Sequence, residues 1–411
     1  MIMRRLAQQL KQSIFGRWPS PARKFPQPGT FLDANSKLEE ETLKGYLPHH
    51  FYPVNIGDMF RSRYQVVGKL GYGSHSTVWL SRDLQQHAYV TLKMYDHESS
   101  HARTEKEVYK HIESLKSSHT GFKLVRRAID DFEIRSPDNA YSYQCLVHPP
   151  LGMSLCELRH RAKGKMLPED LLKPTLIHIL LALDFLHTEA GVVHTDIQEN
   201  NVMLGVEDES ILVDFEEAEM SNPSPRKAVD GRVIYASRNL GIPKMHGRPI
   251  LSDFGEARFS LTLGKRWEDV QPLVYRAPEV ILRIPWDEKI DIWNLATLTW
   301  NLFEQGSLFK ARDSNGKVSD SHHLARMIAI MGPPPKEMLQ GSEYAAKFFD
   351  SDGNWRSAAE IPCTSLEKLE RNLQGTQQSS FLCFMRKMLQ WQPENRASAK
   401  ELLADPWLRS I

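Results

Sequence analysis

The spacing of the apolar residues changes near Pro150, and this change limits the folds open to the chain. Before it, apolar side chains alternate as in β-strands over residues 64–80 and 89–95. After it, residues 171–187 and 289–303 repeat their apolar side chains at the helical period. The pattern predicts an α+β fold, in which a small β-rich lobe precedes a larger helical lobe. Shorter segments of the same two kinds are a predicted helix at 103–112, a strand at 143–147 and helices at 379–389 and 397–408.

The charges of the chain nearly cancel, with 52 basic and 51 acidic residues and a net charge of +1. Because this balance gives no general attraction to nucleic acid or to an anionic membrane, we expect no direct nucleic-acid binding. No apolar run reaches the roughly 18 residues of a membrane span, and we expect none. The four cysteines have no CxxC spacing, which fits a reducing compartment. We expect a monomer in the cytoplasm and/or the nucleus.

The N-terminal segment has a composition of its own. Its first 30 residues contain no acidic side chain, and Asp33 is the first acid of the chain. Leu6, Leu10 and Ile14 recur at helical spacing between basic residues, a composition typical of a mitochondrial transit peptide. A basic, proline-rich tail looks the same, so a mitochondrial location stays open as the alternative. We set residues 1–60 apart as a basic, proline-containing N-terminal extension.

A glycine-containing segment lies between the first two strand-like runs. It reads Gly71-Tyr-Gly73-Ser-His-Ser76-Thr-Val78, and glycines at such positions let a backbone approach phosphate groups closely. A plain hairpin turn explains a lone GxG equally well, and Ser76 stands where a third glycine is usual. Fifteen residues after Val78, the strand-like Val90-Thr-Leu-Lys93 ends in a lysine that can pair with phosphates. Glu105 is the first candidate to pair with Lys93, and Glu107 the second.

The most specific motif is His194-Thr195-Asp196-Ile-Gln-Glu-Asn200-Asn201, which directly follows an apolar helical segment. It places a carboxylate base, Asp196, five residues before a candidate metal ligand, Asn201, and this combination suits phosphate transfer to a hydroxyl group. Leu251-Ser-Asp253-Phe-Gly255 then offers a second metal-binding carboxylate. Ala277-Pro278-Glu279 follows 26 residues after Asp253, a separation that suits an activation segment.

In this order, the motifs resemble those of eukaryotic protein kinases over roughly residues 60 to 410. Threonine in place of arginine in His194-Thr195-Asp196 resembles the SR-protein kinases of the CMGC group. The segments 69–80 and 275–282 point the same way, and residues 309–339, which contain Met331-Gly-Pro-Pro-Pro335, resemble the CMGC insert. We therefore identify the chain as a divergent, fungal-type SR-protein kinase-like protein.

The resemblance implies a bilobal protein-kinase fold with an N-lobe at 61–148 and a C-lobe at 149–411. An insert at about 205–250, before Asp253-Phe-Gly255, takes the place of the spacer of SR-protein kinases. The resemblance also implies that Asp291 braces the catalytic loop and that Arg396 pairs with Glu279.

The implied activity is transfer of the ATP γ-phosphate to protein serine or threonine, with ATP and Mg²⁺ required. The implied substrate is a protein, with arginine/serine repeats as the class that SR-protein kinases recognise. His148 would be the gatekeeper of a hinge whose Pro149 carbonyl and Leu151 amide meet the adenine. The implied site residues are Asp196, Lys93, Glu105 and Asn201 for catalysis, Asn201 and Asp253 for the metal, and Leu70, Gly71, Gly73, Val78, Lys93, Pro149 and Leu151 for the nucleotide.

Several positions depart from the family pattern. Gln198 and Pro272 replace a lysine that touches the transferred phosphate and the threonine that bridges it, and losing such a contact can cost on the order of 10²-fold in rate. A pseudokinase that binds nucleotide weakly is therefore one alternative. A small-molecule phosphotransferase is the other, because Asp214-Phe-Glu resembles the metal motif of that class.

Two further expectations concern regulation and substrate. Thr195 removes the arginine that commonly grips an activation-loop phosphate, so we expect activity without phosphorylation of Ser260 or Thr262. Residues 304–345 hold five acidic and five basic side chains, so that window is not the acidic groove that arginine-rich substrates require.

Overall fold

The computed structural model describes residues 19–26, 30–136, 138–243, 245–260 and 267–410. Contacts between residues divide the chain into two compact units. The first comprises Met1–Ala102, Arg127–Leu151 and Val206–His246, and the second Arg103–Arg126, Gly152–Gly205 and Gly247–Ile411. Most of the segment expected as an insert thus belongs to the first unit. The boundaries of the extension and of the two lobes, placed at residues 60 and 148 from the sequence, stay a prediction. Residues 1–18, and with them the transit-peptide helix, lie outside the described residues.

The described residues form thirteen strands and twelve α-helices. The strands are β1 (Met59–Phe60), β2 (Tyr64–Gly73), β3 (Ser76–Asp83), β4 (Ala88–Tyr95), β5 (Asp130–Arg135), β6 (Ser142–His148), β7 (Leu151–Ser154), β8 (Val192–Val193), β9 (Val202–Val206), β10 (Arg226–Val229), β11 (Arg232–Tyr235), β12 (His246–Leu251) and β13 (Arg258–Phe259). The helices are α1 (Ser100–Leu115), α2 (Leu155–Arg161), α3 (Glu169–Phe185), α4 (Ser210–Ser221), α5 (Pro278–Ile281), α6 (Lys289–Phe303), α7 (Asp320–Met331), α8 (Lys336–Gln340), α9 (Leu366–Leu369), α10 (Gly375–Met388), α11 (Ala399–Leu403) and α12 (Pro406–Arg409).

The first unit is built on a six-stranded antiparallel sheet with the strand order β1-β2-β3-β4-β6-β5. The strands predicted at 64–80, 89–95 and 143–147 are confirmed, with β2 and β3 forming a hairpin across the glycine segment. The register of β2 and β3 shifts twice, between Val66 and Gly68 and between Lys69 and Gly71. One face of the sheet carries a buried apolar cluster that includes Tyr64, Val66, Trp79, Leu92, Phe132 and Val147.

Helix α4 packs against this sheet in the first unit. Its buried Ile211, Leu212 and Phe215 form a cluster with Val67 and Leu80. Gly68 permits this approach, because a Cβ atom there would lie 2.8 Å from the Phe215 ring. The helix is therefore part of the apolar core of the unit.

The N-terminal extension is tied to the same unit by a buried lysine of β2. Lys69 is fully buried, and its Nζ lies 2.9 Å from Glu39 Oε2, contacts Glu40 and donates to the Tyr235 carbonyl at 3.0 Å. Glu39 and Glu40 belong to a 3₁₀ turn, Glu39–Thr42. Because a buried ammonium group without counter-charge is costly, this cluster holds the turn and the β10–β11 hairpin on the sheet.

The second unit is mainly helical, with α3 and α6 packed against each other in its interior. The predicted helices at 103–112, 171–187, 289–303 and 379–389 are confirmed. One helical stretch of the described residues, Glu169–Ala190, is long and apolar enough to cross a bilayer, and half of its most apolar portion is buried inside the unit. Burial of this kind is typical of the core helix of a globular domain.

The single helix predicted at 397–408 is wrong. The segment forms two short helices, α11 and α12, separated at Ala404 and Asp405. Pro406 has no backbone N–H and favours the first turn of a new helix, and the Asp405 side chain accepts a hydrogen bond from the Trp407 amide. The apolar period continues across the break, which is why periodicity alone did not reveal it.

The predicted pair of Arg396 and Glu279 is confirmed in the second unit. Both side chains are fully buried, and the guanidinium forms two parallel hydrogen bonds to the carboxylate, at 2.6 and 2.7 Å. Arg396 also donates to the carbonyls of Gln390 and Lys289, at 3.0 and 3.1 Å. The pair connects the segment that begins α5 to the turn before α11.

Replacement of Arg396 tests this connection. Removing one partner of a buried ion pair leaves an uncompensated charge, so we expect Arg396→Ala to lower the free energy of unfolding by about 3–5 kcal/mol in urea denaturation. The matched control is Arg386→Ala, which breaks an exposed pair with Glu367 and should cost less than about 1 kcal/mol. Equal losses for the two variants would contradict this interpretation.

Candidate active site

The loop that carries the most specific motif is held by Asp291 of α6, a fully buried carboxylate. Its Oδ1 accepts from the Thr195 amide at 2.8 Å, and its Oδ2 accepts from the His194 amide at 2.8 Å. The His187 Nε2 donates to the same carboxylate at 2.9 Å. Thr195 has a positive φ of 66°, a conformation that costs energy for a non-glycine residue. The two hydrogen bonds from the backbone amides to Asp291 stabilise it. Asp291 therefore sets the backbone just before Asp196.

Within this loop, His194 is oriented from both ring nitrogens. Its Nε2 donates to the Ser252 carbonyl at 3.1 Å, and its Nδ1 accepts from the Asp196 amide at 3.2 Å. The Asp196 carboxylate then accepts from Gln198 Nε2 at 2.8 Å and from Asn201 Nδ2 at 2.7 Å. The loop thus presents Asp196 in one orientation, which Gln198 and Asn201 define.

Burial raises the pKa of the Asp196 carboxyl above its ordinary value, and the Asp253 charge raises it further. His194 and the hydrogen bonds from Gln198 and Asn201 lower it in part. The mutual influence of Asp196 and Asp253 agrees with two carboxylates collected in one small region of the second unit.

Asp253 is brought beside Asn201 by the pairing of neighbouring strands. Strand β9 begins directly after Asn201, β12 ends at Leu251, and the two are neighbours in a three-stranded sheet, β12-β9-β7. The Ser252 amide and hydroxyl both donate to the Asn201 carbonyl, at 2.8 and 2.9 Å. Asp253 itself has a positive φ of 68°. Asn201 and Asp253 fit a magnesium ion, which prefers oxygen ligands. The side-chain nitrogen of Asn201 donates to Asp196, so its side-chain oxygen is the atom that can bind the metal.

The segment after Asp253 is fixed at its start. The Thr195 hydroxyl donates to the Glu256 carbonyl at 2.8 Å, and β13 pairs with β8. The Ser260 amide donates to the Gly191 carbonyl at 2.7 Å. Thr195 therefore makes a direct contact with this segment, and Thr262 lies outside the described residues.

Glu105 of α1 is fully buried in the second unit. Its Oε1 accepts from the Tyr109 hydroxyl at 2.7 Å, and the Tyr109 ring packs edge-on against Phe254 with the ring centroids 5.5 Å apart. Lys93 belongs to the first unit, so its pairing with Glu105 stays a prediction. Tyr109 was not predicted, although it stands four residues after Glu105 on one helix face. His187 was not predicted either, and the sequence holds no comparable signal for it.

In the first unit, the strand register brings three of the predicted nucleotide residues together. Val78 of β3 lies opposite Gly71 of β2 on one side and opposite Lys93 of β4 on the other. Lys93 is 7% exposed, and its ammonium lies 5.0 Å from the centre of the Tyr95 ring. A Cβ atom at Gly71 or at Gly73 would meet no protein atom within 4 Å, so packing within the described residues does not demand glycine at either position. Leu70, the residue before Gly71, is half-buried.

The predicted hinge residues follow β6 in the same unit. His148 is buried, and its Nδ1 donates to the Arg127 carbonyl at 2.8 Å. Pro149 is exposed, and Leu151 is the first residue of β7.

The structure also describes the surroundings of Pro272, which departs from the family pattern, and of Asp214, which resembles a motif of small-molecule phosphotransferases. Gln271, next to Pro272, is buried with a positive φ of 71°, donates to the Ile290 carbonyl at 2.9 Å and accepts from the Ala277 amide at 2.9 Å. Asp214 lies on the exposed face of α4 in the first unit, whereas Asp196, Asn201 and Asp253 lie in the second.

Comparison with known proteins agrees with this geometry. Residues 64–408 match the family model described as the protein kinase domain. A serine/threonine protein kinase of Aspergillus fumigatus is 47% identical over 96% of this chain and 97% of the relative. The serine/threonine-protein kinase SRPK of Physarum polycephalum is 28% identical over 91% and 92%, and SRSF protein kinase 3 of Mus musculus is 23% identical over 95% and 94%.

A solved kinase domain has the same fold. The two structures superpose with a TM-score of 0.67 at 23% identity, and the match covers 88% of this chain and 99% of the other. The predicted α+β class is confirmed by this neighbour and by the sheet of the first unit and the helices of the second. The chain therefore belongs to the protein kinase family, as a serine/threonine protein kinase whose relatives include the SR-protein kinases.

Proposed function

We propose that this kinase transfers the γ-phosphate of ATP to serines in arginine/serine-rich segments of proteins. The observation that carries the proposal is an acidic cleft in the second unit, with a volume of about 920 Å³. Four carboxylates line it, and no lysine or arginine among the described residues does. They are Asp287, Glu288, Glu337 and Glu394.

The carboxylates of the cleft can bind a positively charged partner. None of the four carboxylates forms an ion pair with another described residue. Trp267, which is 62% exposed, and Met338 add apolar surface beside them. Guanidinium groups bind carboxylates through hydrogen bonds and stack on aromatic rings, so this lining suits an arginine-rich chain. The name of one relative, SRSF protein kinase 3, supports the same class of substrate.

The loop geometry supports the catalytic roles that we propose. Asp196 accepts the proton of the substrate hydroxyl, and its orientation is held by Gln198 and Asn201. Asn201 and Asp253 are the residues that would hold Mg²⁺, which supplies positive charge to the transferred phosphate when bound. The amide of Gln198 stands where a lysine is usual, so the second unit offers a hydrogen bond at this position and no cation.

The first unit supplies the nucleotide residues of the proposal. Lys93 pairs with phosphates, and Gly71 and Gly73 leave open space above β2 and β3 for them. Leu70 and Val78 give apolar contacts to the base, and the Pro149 carbonyl and Leu151 amide give its polar contacts. The contact of Thr195 with Glu256 supports activity without activation-loop phosphorylation, because it replaces a phosphate-dependent contact by a permanent one.

The proposal is tested by phosphate transfer from ATP to an arginine/serine-repeat peptide in the presence of Mg²⁺. We expect labelling that chelation of Mg²⁺ abolishes and that Asp196→Ala lowers by at least about 10³-fold, because the variant loses the base of the reaction. The control is a basic protein without arginine/serine repeats. Asp196-dependent labelling of that control but not of the peptide would contradict the substrate class, and no labelling of either would contradict the activity.

The acidic cleft generates a second prediction. The double variant Glu337→Gln/Glu394→Gln should raise the KM for the arginine/serine-repeat peptide about threefold to tenfold and leave kcat unchanged, since each exposed charge pair contributes up to about 1 kcal/mol. The matched control is Glu343→Gln, an exposed glutamate that does not line the cleft. Steady-state kinetics at two salt concentrations should show the difference shrinking at high salt. An unchanged KM in the double variant would overturn the role of the cleft.

A further inference from the structure

Three histidines of the first unit come together outside the residues used for catalysis. His49 and His50 belong to a 3₁₀ turn, Pro48–His50, in the N-terminal extension, and His97 follows β4 by two residues. One ring nitrogen from each lies within 4.8 Å of the other two. The ring centroids of His49 and His50 are 4.7 Å apart, and those of His50 and His97 are 5.0 Å apart.

The backbone holds the two segments in place. The His97 amide donates to the His50 carbonyl at 3.1 Å, and the Tyr143 hydroxyl donates to the His49 carbonyl at 2.7 Å. The Tyr141 ring stacks on His97 with the centroids 4.4 Å apart. The backbone hydrogen bonds and the Tyr141 ring therefore gather the imidazoles without occupying their ring nitrogens.

One nitrogen of the cluster is buried without a partner. The Nε2 of His97 is shielded from solvent and forms no hydrogen bond with any described residue. A buried polar atom in this state costs free energy, and such atoms in folded proteins usually meet an ion or a water. A carboxylate stands nearby, since Glu98 Oε2 lies 3.8 Å from His50 Nε2.

We propose that His49, His50 and His97 form a binding site for a divalent transition-metal ion, with Zn²⁺ as the ion of first choice. Three imidazoles with an open fourth position are a common zinc environment, and Glu98 or a water can complete it. Zinc–nitrogen distances of about 2.0–2.1 Å require the ring nitrogens to close to about 3.4 Å, so the imidazoles rotate inward when the ion binds. Imidazole ligands favour Zn²⁺, Cu²⁺ or Ni²⁺ over Mg²⁺, so the site does not compete for the metal of catalysis.

The ion would join two segments that are 47 residues apart in the chain, the turn at His50 and the connection after β4. His97 stands three residues before Ser100, the first residue of α1, and α1 carries Glu105. Zinc therefore anchors the extension to the connection that leads into this helix. The expected consequence is a more stable first unit, because the ion binds the folded arrangement and not the unfolded chain.

The test is calorimetric titration of the metal-free full-length chain with ZnCl₂. We expect one equivalent of Zn²⁺ to bind with micromolar or tighter affinity, and a tenfold excess of Mg²⁺ to leave this binding unchanged. Because each imidazole is a direct ligand, His49→Gln and His97→Gln should each weaken binding by at least about tenfold. The matched control is His178→Gln, a half-exposed histidine of α3 in the second unit, which should bind as the unaltered chain does.

Two further readouts keep the result independent of folding defects. His49 is exposed, so its replacement leaves the unit folded, and Zn²⁺ should raise the Tm of the unaltered chain but not that of His49→Gln. Co²⁺ in place of Zn²⁺ should give the visible absorption of a tetrahedral site, and this absorption should be absent in His49→Gln. No stoichiometric Zn²⁺ binding, or binding that His49→Gln and His97→Gln leave unchanged, would overturn the proposal and leave the histidines as an aromatic cluster.

Discussion

The contacts of Asp291 are the constraint on which the catalytic loop depends. A buried carboxylate is stable only when hydrogen-bond donors fill its acceptor positions, and here they come from the amides of His194 and Thr195 and from the ring of His187. Because two of these donors are backbone groups of consecutive residues, the carboxylate determines a stretch of main chain. The orientation of Asp196 follows from that main chain.

The loop that Asp291 holds makes two further hydrogen bonds. His194 reaches the Ser252 carbonyl, and Thr195 reaches the Glu256 carbonyl, so the same loop is tied to both sides of Asp253. Ser252 in turn donates twice to the Asn201 carbonyl. The proposed base and the two proposed metal ligands are thus held through one connected set of hydrogen bonds, and no part of it requires a phosphorylated residue.

The first unit depends on buried charges of another kind. Lys69 binds Glu39 and Glu40 of the extension, and Glu216 of α4 binds the Tyr89 hydroxyl and lies 3.3 Å from Arg23. Each cluster joins the sheet to a segment that family motifs do not include. The described part of the extension and the segment 206–246 are therefore structural parts of the unit, and removal of Glu39 and Glu40 would leave Lys69 as a buried charge without its partners.

The sequence was sufficient where interacting residues are close together in it. Asp196 and Asn201 lie five residues apart within one loop, so their spacing alone predicted that they act together. The same was true of the strand pattern around Gly71 and Gly73 and of the helical period of α6.

Contacts between distant residues were beyond the reach of local patterns. His187 and Asp291 are 104 residues apart, and Gly68 meets Phe215 through packing that no period encodes. The acidic cleft is a further case. Its carboxylates come from three separate segments, so the count over residues 304–345 mixed Glu337 with basic side chains that do not line the cleft.

The most direct test of the central claim is single-turnover phosphate transfer by Asp291→Asn beside the unaltered chain, with ATP affinity measured in parallel. The asparagine carries one oxygen and one NH₂ group, so it directs a donor at one of the two loop amides and leaves that amide unsatisfied. If Asp291 orients the loop, the transfer rate falls by at least about tenfold, while the Kd for ATP stays within about twofold. An unchanged transfer rate would contradict the account, because Asp196 would then hold its orientation without the carboxylate of Asp291.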